Sequence, residues 1–269
     1  MHAPDLSDLP QLRRLLKTTT GLDLPADMLE RAMRERLRTT GGGAHCAYAP
    51  RPGTPEFDAL VELVVVPESW MMRIQSAFDA ALVFVRERLQ DRPGRQVRIL
   101  SLPCAAGEEP YSMALTLAAA GITPAQCRID ALDLSHAAIA RARAGRYVRN
   151  AFRGTAPGFA ERHFTREGDE YLIGDAPRQY VEFRQANLFA LDPAPLAGRY
   201  DVIFCRNLMI YFDGPTQAAA AARLHAMLAD DGMLLSGFAE VPSFCRHGFT
   251  QRPTRDAFSL CKHSPAMVT

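Results

Sequence analysis

The chain has 269 residues, 48% of them hydrophobic, which is ample for a buried core and makes a folded globular enzyme the starting expectation. Lys plus Arg number 31 against 30 for Asp plus Glu, so no whole-chain charge draws it to nucleic acid or an acidic membrane, and any basic recognition surface must be local. Nearly all the basic residues are arginine, with Lys17 and Lys262 the exceptions, a bias read as codon composition rather than design for phosphate.

The six cysteines, Cys46, Cys104, Cys127, Cys205, Cys245 and Cys261, form no C-x-x-C pair and have no histidine at ligand spacing. They predict no metal site and read as reduced, mostly buried thiols of a cytoplasmic protein. Asp5 and Asp8 precede any apolar run, and no 18-residue apolar stretch occurs; neither a signal peptide nor direct membrane insertion is expected.

In chain order, Leu9, Leu12, Leu15 and Leu16 recur on one helical face, Thr18 to Gly21 interrupts, and a second helix runs from Pro25 to Leu37, ended by a Gly41-Gly42-Gly43 loop. Arg31, Arg34 and Arg38 fall at i, i+3 and i+7 on that helix, one stripe that reads either as a solvated face or as a docking face for an acidic helical partner. Phe57 to Val66 and Phe78 to Leu89 read as two more helices. Residues 1–75 are expected to form a small helical domain and 76–95 a linker helix.

From Gln96 the pattern changes to strands alternating with helices. Val97 to Leu102 and Arg128 to Leu132 read as strands, Tyr111 to Ala120 and Ala137 to Ala144 as the helices after them. Residues 145–183 break the alternation with five glycines among short aromatic runs such as Glu170 to Ile173 and Gln179 to Phe183, read as a small antiparallel β subdomain. The alternation returns with Tyr200 to Cys205, a helix from Thr216 to Leu228 and a strand from Gly232 to Gly237. The expected fold over 96–269 is therefore α/β, a doubly wound Rossmann-like sheet with a β excursion.

In such a sheet the ligand sits beyond the carboxyl ends of the strands. After the first strand, Pro103 to Pro110 is a turn of small residues with a single glycine, Gly107. It lacks the glycine-rich dinucleotide cradle, which disfavours a nicotinamide enzyme, and its paired Glu108 and Glu109 suit a ligand bearing positive charge. Asp133, 26 residues beyond Gly107, stands where an acidic residue takes ribose hydroxyls, although a helix N-cap is the alternative and Ser135 can serve as that cap. Arg206 and Asn207 follow an apolar strand and are unsuited to a core.

With these residues in view, the chain resembles the CheR-type chemoreceptor glutamate methyltransferases, and within them the branch of biofilm-type chemosensory systems that includes WspC. The motifs are Gly107-Glu108-Glu109-Pro110-Tyr111-Ser112, Ala131-Leu132-Asp133, the F-C-R-N-x-x-I-Y-F-D run from Phe204 to Asp213, and Gly237-Phe238-Ala239-Glu240 as a variant of G-x-x-E. The resemblance implies a helical N-terminal domain and a three-stranded β subdomain beside an α/β domain that binds S-adenosyl-L-methionine and leaves S-adenosyl-L-homocysteine. It implies cofactor contacts from Ser69, Arg73, Glu109, Asp133, Asn187, Leu188, Arg206 and Asn207, and puts Tyr211 beside the transferred methyl.

The resemblance also implies the partner, the cytoplasmic part of a chemoreceptor, with a monomeric enzyme expected. Tyr211 and Arg73 are the candidates for holding the substrate carboxylate, and Arg31, Arg34 and Arg38 for substrate docking. Two departures stand out: Pro67 replaces a frequent Asn, and Met71 and Met72 replace two aromatics. The methionines predict a cofactor wall that cannot stack on adenine. A methyltransferase of the same fold with another substrate, or a catalytically silent S-adenosylmethionine-binding module, is the alternative.

Overall fold

The computed structural model describes residues 9–40, 49–66, 68–252 and 257–263; the glycine run at 41–43, Cys46 and Pro67 lie outside them. Helices α1 (Leu9–Thr20), α2 (Ala26–Thr40) and α3 (Pro55–Val64) open the chain. In α1, Leu12, Leu16 and Thr20 are buried at four-residue spacing, the one-faced burial that a 3.6-residue period predicts. Thr54 caps α3, its hydroxyl accepting from Phe57 N at 3.3 Å, with Pro55 at the first turn. The expected helix to Val66 ends earlier, at Val64, and Val65 is extended. A residue before proline is pushed out of the helical region, which accounts for the chain leaving the helix ahead of Pro67.

After α4 (Gln75–Asp91) come β1 (Val97–Ser101), α5 (Glu108–Ala119), β2 (Cys127–Asp133) and α6 (His136–Ala144). Ser135 is the N-cap of α6, its hydroxyl accepting from Ala138 N at 2.8 Å, so Asp133 is not needed for that role. A separate three-stranded antiparallel sheet follows, made of β3 (Arg146–Val148), β4 (Phe164–Glu167) and β5 (Glu170–Ile173) in the order β3-β5-β4, with the short helix α7 (Phe159–His163) ahead of β4. After α8 (Asp175–Arg178), β6 (Val181–Gln185) departs from expectation. It pairs in parallel with β2 in the main sheet instead of belonging to the excursion. Only Phe183 of β6 is buried, because the strand lies at the sheet's edge, and this weak pattern hides its membership.

The chain closes with β7 (Tyr200–Cys205), α9 (Gly214–Met227), β8 (Leu228–Ser236), α10 (Val241–Arg246), β9 (Phe249–Gln251) and β10 (Ser259–Lys262). The main sheet has seven strands in the order β6-β2-β1-β7-β8-β10-β9. The run from β6 to β8 is parallel, whereas β10 is antiparallel to both β8 and β9. Strand order reverses between β1 and β7, the switch point where the carboxyl ends of both strands open a crevice.

Side chains alternate across the sheet as the two-residue strand period requires. Ile99, Val202 and Phe204 share one core with α4 and α5, while Leu100, Ile203 and Cys205 face the other way into a core with α9. That second core also contains Leu12, Leu16, Leu29 and Met33, so α1–α3 pack on the sheet side of α9. A third cluster joins Tyr147, Phe152 and Tyr171 of the three-stranded unit to Tyr111 and Ile139. Cys104, Cys127 and Cys205 are buried, Cys245 is exposed and Cys261 intermediate, all as free thiols. No helix among the described residues is long and apolar enough to cross a membrane, and none of their His, Cys, Asp and Glu side chains group as a metal site.

Candidate functional site

A cleft of about 280 Å³ opens at the switch point, between the loops after β1, β2 and β7 on one side and the segment after α3 on the other. Its polar lining is Glu68, Ser69, Arg73, Glu109, Asp133, Arg206, Asn207 and Tyr211, and its apolar lining includes Leu22, Val64, Val65, Val66 and Ile210. Seven of the residues singled out from sequence thus meet in one place, from four separate loops.

The loop after β1 reaches α5 through Gly107, whose φ is +91°. A Cβ there would stand 3.0–3.1 Å from Ala142, Phe183 and Tyr147, so both the backbone angle and the crowding require glycine. On the same loop Ala105 N donates to Asp133 Oδ2 at 2.8 Å, and Ser135 N donates to Asp133 Oδ1 at 2.9 Å. Burial pushes the Asp133 carboxyl up to about 6 against these two bonds, which pull it down. Each oxygen keeps a second acceptor position, directed at hydroxyl or N–H donors.

Glu109 is buried at the first turn of α5. Its Oε1 accepts from Ser101 Oγ at 2.7 Å and its Oε2 from Arg206 Nη1 at 3.2 Å. Burial raises the Glu109 pKa, and the Arg206 charge opposes that rise. Arg206 also donates through Nη2 to the Arg73 carbonyl at 2.7 Å, while its buried Nε has no partner. The Arg206–Glu109 pair is mutually neutralising, so the cleft's uncompensated cation is Arg73. Arg73 makes no salt bridge among the described residues; its Nη1 donates to the Glu68 carbonyl at 3.2 Å. Partial burial and the Arg206 charge lower its pKa, while the guanidinium remains a cation.

The turn after β7 is held by a residue that the sequence reading leaves out of the site. Glu240 is 1% exposed. Its Oε1 accepts from Leu208 N and Met209 N, both at 2.7 Å, and its Oε2 from Asn207 N at 2.7 Å and Gly237 N at 2.9 Å. Four backbone donors on one carboxylate hold Asn207 at φ +60° and so aim Arg206, Asn207 and Tyr211 into the cleft. Gly237 is required by space, since a Cβ on it would lie 2.6 Å from Glu240 Oε2. The backbone at Tyr211 is gripped from the helical side as well: Asp23 N donates to its carbonyl at 2.9 Å, and Lys17 Nζ pairs with Asp213 at 2.6 Å.

The CheR methyltransferase SAM-binding domain matches residues 68–257, most of the chain. The chain belongs to this CheR methyltransferase family. It is 43% identical to "Probable biofilm formation methyltransferase WspC" of Pseudomonas aeruginosa over 246 residues, covering 88% of this chain and 58% of that protein. It is 39% identical to the Pseudomonas putida protein of the same name, covering 93% of this chain and 60% of that one. The chemotaxis protein methyltransferase of Escherichia coli is 33% identical over 196 residues, 68% of each chain. The chain spans less than two thirds of the length of the two WspC proteins. S-adenosylmethionine is the cofactor of this family's domain and hence of this chain.

Against the CheR motifs, the structure separates the expected residues into three groups. Ser69, Arg73, Glu109, Asp133, Arg206, Asn207 and Tyr211 line the cleft. Asn187 and Leu188 do not. Asn187 Nδ2 donates to the Thr19 carbonyl at 2.6 Å and its Oδ1 accepts from Phe189 N at 3.0 Å, while Leu188 is buried in the core shared with α1–α3. Asn187 thereby ties the loop after β6 to the end of α1. Arg31, Arg34 and Arg38 lie outside the cleft, on α2, each paired within the helix to Asp27, Glu30 and Glu35 respectively. The stripe is a mixed-charge face rather than a basic one.

The methionines also differ from expectation. Met71 is fully buried in the third core cluster, with its amide donating to Ala151 O at 2.7 Å, and Met72 N donates to Ser112 Oγ at 2.8 Å. Neither lines the cleft. Their replacement of aromatics is a change in core packing, where Met fills volume as well as a ring, and the observation that favours a silent binding module disappears with it.

Proposed function

We propose that this chain transfers the methyl group of S-adenosylmethionine to glutamate side chains on the cytoplasmic part of a chemoreceptor. What supports the reading most is the convergence of Arg73, Glu109, Asp133 and Tyr211 on one cleft in a chain of the CheR family. The residues suit this cofactor: each Asp133 oxygen keeps an acceptor position for a ribose hydroxyl, the Glu109 oxygens keep theirs for the cofactor's cationic end beside their bonds to Ser101 and Arg206, and Arg73 is left to meet a carboxylate. Ser69 and Asn207 supply further polar contacts. Asn187 and Leu188 serve from behind, by holding the loop that follows β6.

When bound, S-adenosylmethionine would supply an electrophilic sulfonium methyl group; an acceptor carboxylate would form the O–CH3 bond as the S–CH3 bond breaks and S-adenosylhomocysteine leaves. A glutamate with an ordinary pKa of about 4.3 is already ionised at neutral pH, so the chain needs no general base, and its cleft has no histidine. The protein's work is alignment and exclusion of water. Arg73, which also meets the cofactor's own carboxylate, and the Tyr211 hydroxyl hold the acceptor, and Leu22, Val64 and Ile210 wall off solvent. Burial raises the Tyr211 pKa, keeping its hydroxyl protonated as a donor.

The test is incubation with labelled S-adenosylmethionine and the cytoplasmic fragments of chemoreceptors from the same organism, with mass spectrometry for glutamyl methyl esters. Binding of S-adenosylhomocysteine with no ester on any fragment would reject the substrate class. Tyr211→Phe is expected to lower turnover roughly 10- to 100-fold, the size of one hydrogen bond to a charged group, at unchanged S-adenosylhomocysteine affinity by calorimetry. An equal loss of affinity would overturn the division of labour. Docking of an acidic receptor helix on α2, whose carboxylates would replace Asp27, Glu30 and Glu35 as partners of Arg31, Arg34 and Arg38, is a further part of the proposal. Reversing Arg31, Arg34 and Arg38 to Glu breaks exposed ion pairs and sets like charges one turn apart on α2, away from the cleft, so cofactor binding should persist while receptor methylation is lost; full methylation would move docking elsewhere.

A further inference from the structure

Trp70 is the single tryptophan of the chain. It stands on the segment between α3 and α4, three residues before Arg73. The guanidinium carbons of Arg73 and Arg153 both lie over its ring, each 4.2 Å from the centroid. The two arginines come from different parts of the fold. Arg73 lines the cleft, whereas Arg153 closes the turn that follows β3 in the three-stranded unit. Glu68 joins them, its Oε1 accepting from Arg153 Nη2 at 2.9 Å and its carbonyl from Arg73 Nη1 at 3.2 Å.

An arginine side chain has many rotamers, and a free one spends little time in any single direction. Arg73 has no carboxylate partner among the described residues to restrict it. The Trp70 face is its main lateral contact, and the attraction of a ring face for a guanidinium is directional. Trp70 is in turn fixed from the three-stranded unit, by Arg153 over its ring and by the bond from Met71 N to Ala151 O at 2.7 Å. We propose that Trp70, steadied by Arg153, is a positioning residue that aims Arg73 into the cleft, so that the seating of the three-stranded unit governs how the cleft receives a carboxylate. The proposal rests on the reading of Arg73 as a cofactor-binding cation.

The experiment measures S-adenosylhomocysteine affinity of the whole chain by calorimetry for Arg73→Ala, Trp70→Leu, Trp70→Phe and Arg153→Leu, and for the last three combined with Arg73→Ala. Trp70→Leu and Arg153→Leu are each expected to weaken binding about three- to tenfold, with Trp70→Phe retaining most of the affinity. In the Arg73→Ala background all three should have no further effect, a coupling that general destabilisation does not produce. Arg153→Leu, a half-buried surface change, carries the test should Trp70→Leu fail to fold. Because Trp70 is the sole tryptophan, its emission should also shift in Arg153→Leu. Full additivity with Arg73→Ala, or wild-type affinity in both Trp70→Leu and Arg153→Leu, overturns the positioning role while Arg73 keeps its own. Wild-type affinity in Arg73→Ala instead removes the reading of Arg73, and the positioning role with it.

Discussion

Glu240→Ala is expected to abolish methyl transfer, lowering it by at least about 100-fold, and to destabilise the chain by about 3–5 kcal/mol, the range for breaking a buried charged network. The side chain is 1% exposed and its two oxygens take four backbone N–H groups. Each donor left without a partner costs about 1–3 kcal/mol, part of which entering water recovers. The same bonds hold Asn207 in the left-handed region, a conformation that a non-glycine residue keeps only when its surroundings impose it. Without them the part of the turn that presents Arg206 and Asn207 loses its four-point support, and the bonds at Tyr211 and Asp213 hold only its far end. Glu240→Gln preserves volume but turns an N–H₂ group toward backbone donors, so it should recover little. Urea unfolding and S-adenosylhomocysteine calorimetry measure the two effects, and a variant that keeps wild-type turnover would show that the turn is held by other means.

Glu240 also shows where sequence reading ends. Its motif, Gly237 to Glu240, is visible, but the carboxylate acts on a loop 33 residues earlier, and no local pattern announces a contact across strands. Period alone is sufficient for β1, β2 and β7, because the sheet buries each of them on both faces or nearly so. It fails for β6, where one side chain is buried, and for β9 and β10, which are three and four residues long and add antiparallel strands to a sheet read as parallel. The α2 stripe shows the converse, a pairing that the sequence does hold. Asp27, Glu30 and Glu35 stand three or four residues from Arg31, Arg34 and Arg38, the spacing at which helical ion pairs form. That pairing is legible in the sequence, but the periodicity of the arginines outweighs it when the stripe is read alone. Met71 and Met72 align with a ligand wall, whereas the left-handed backbone at Met72 and Ile74 turns the segment so that Ser69 and Arg73, not the methionines, line the cleft.

The affinity for S-adenosylhomocysteine is expected to rise with pH and to level off above about pH 6, and Asp133→Asn is expected to remove that rise and weaken binding at least tenfold at about pH 7.5. Burial holds the Asp133 carboxyl at about 6 in the folded chain, against an ordinary value of about 3.9. Between those values the folded state binds more protons than the unfolded one, so this group's contribution to stability falls as pH rises through the window. Ligand binding has the opposite sign. Hydroxyl donors favour the ionised carboxylate, so the complex has the lower pKa, binding releases a proton below about pH 6, and affinity there climbs by up to about tenfold per pH unit. In Asp133→Asn the side-chain amide would turn a donor toward either Ala105 N or Ser135 N, which now bond the two carboxylate oxygens, so the loop after β1 loses a contact along with the ribose acceptor. Glu108, which burial pushes up to about 7, lies outside the cleft lining and titrates later; the Glu62 charge raises Asp133 further and is unaltered in the variant. Calorimetry from about pH 5 to 8, in buffers of different ionisation enthalpy, counts the released proton directly. A limb near pH 6 that persists in Asp133→Asn would assign it to Glu109, whose pKa is also raised by burial, and would take the ribose from Asp133.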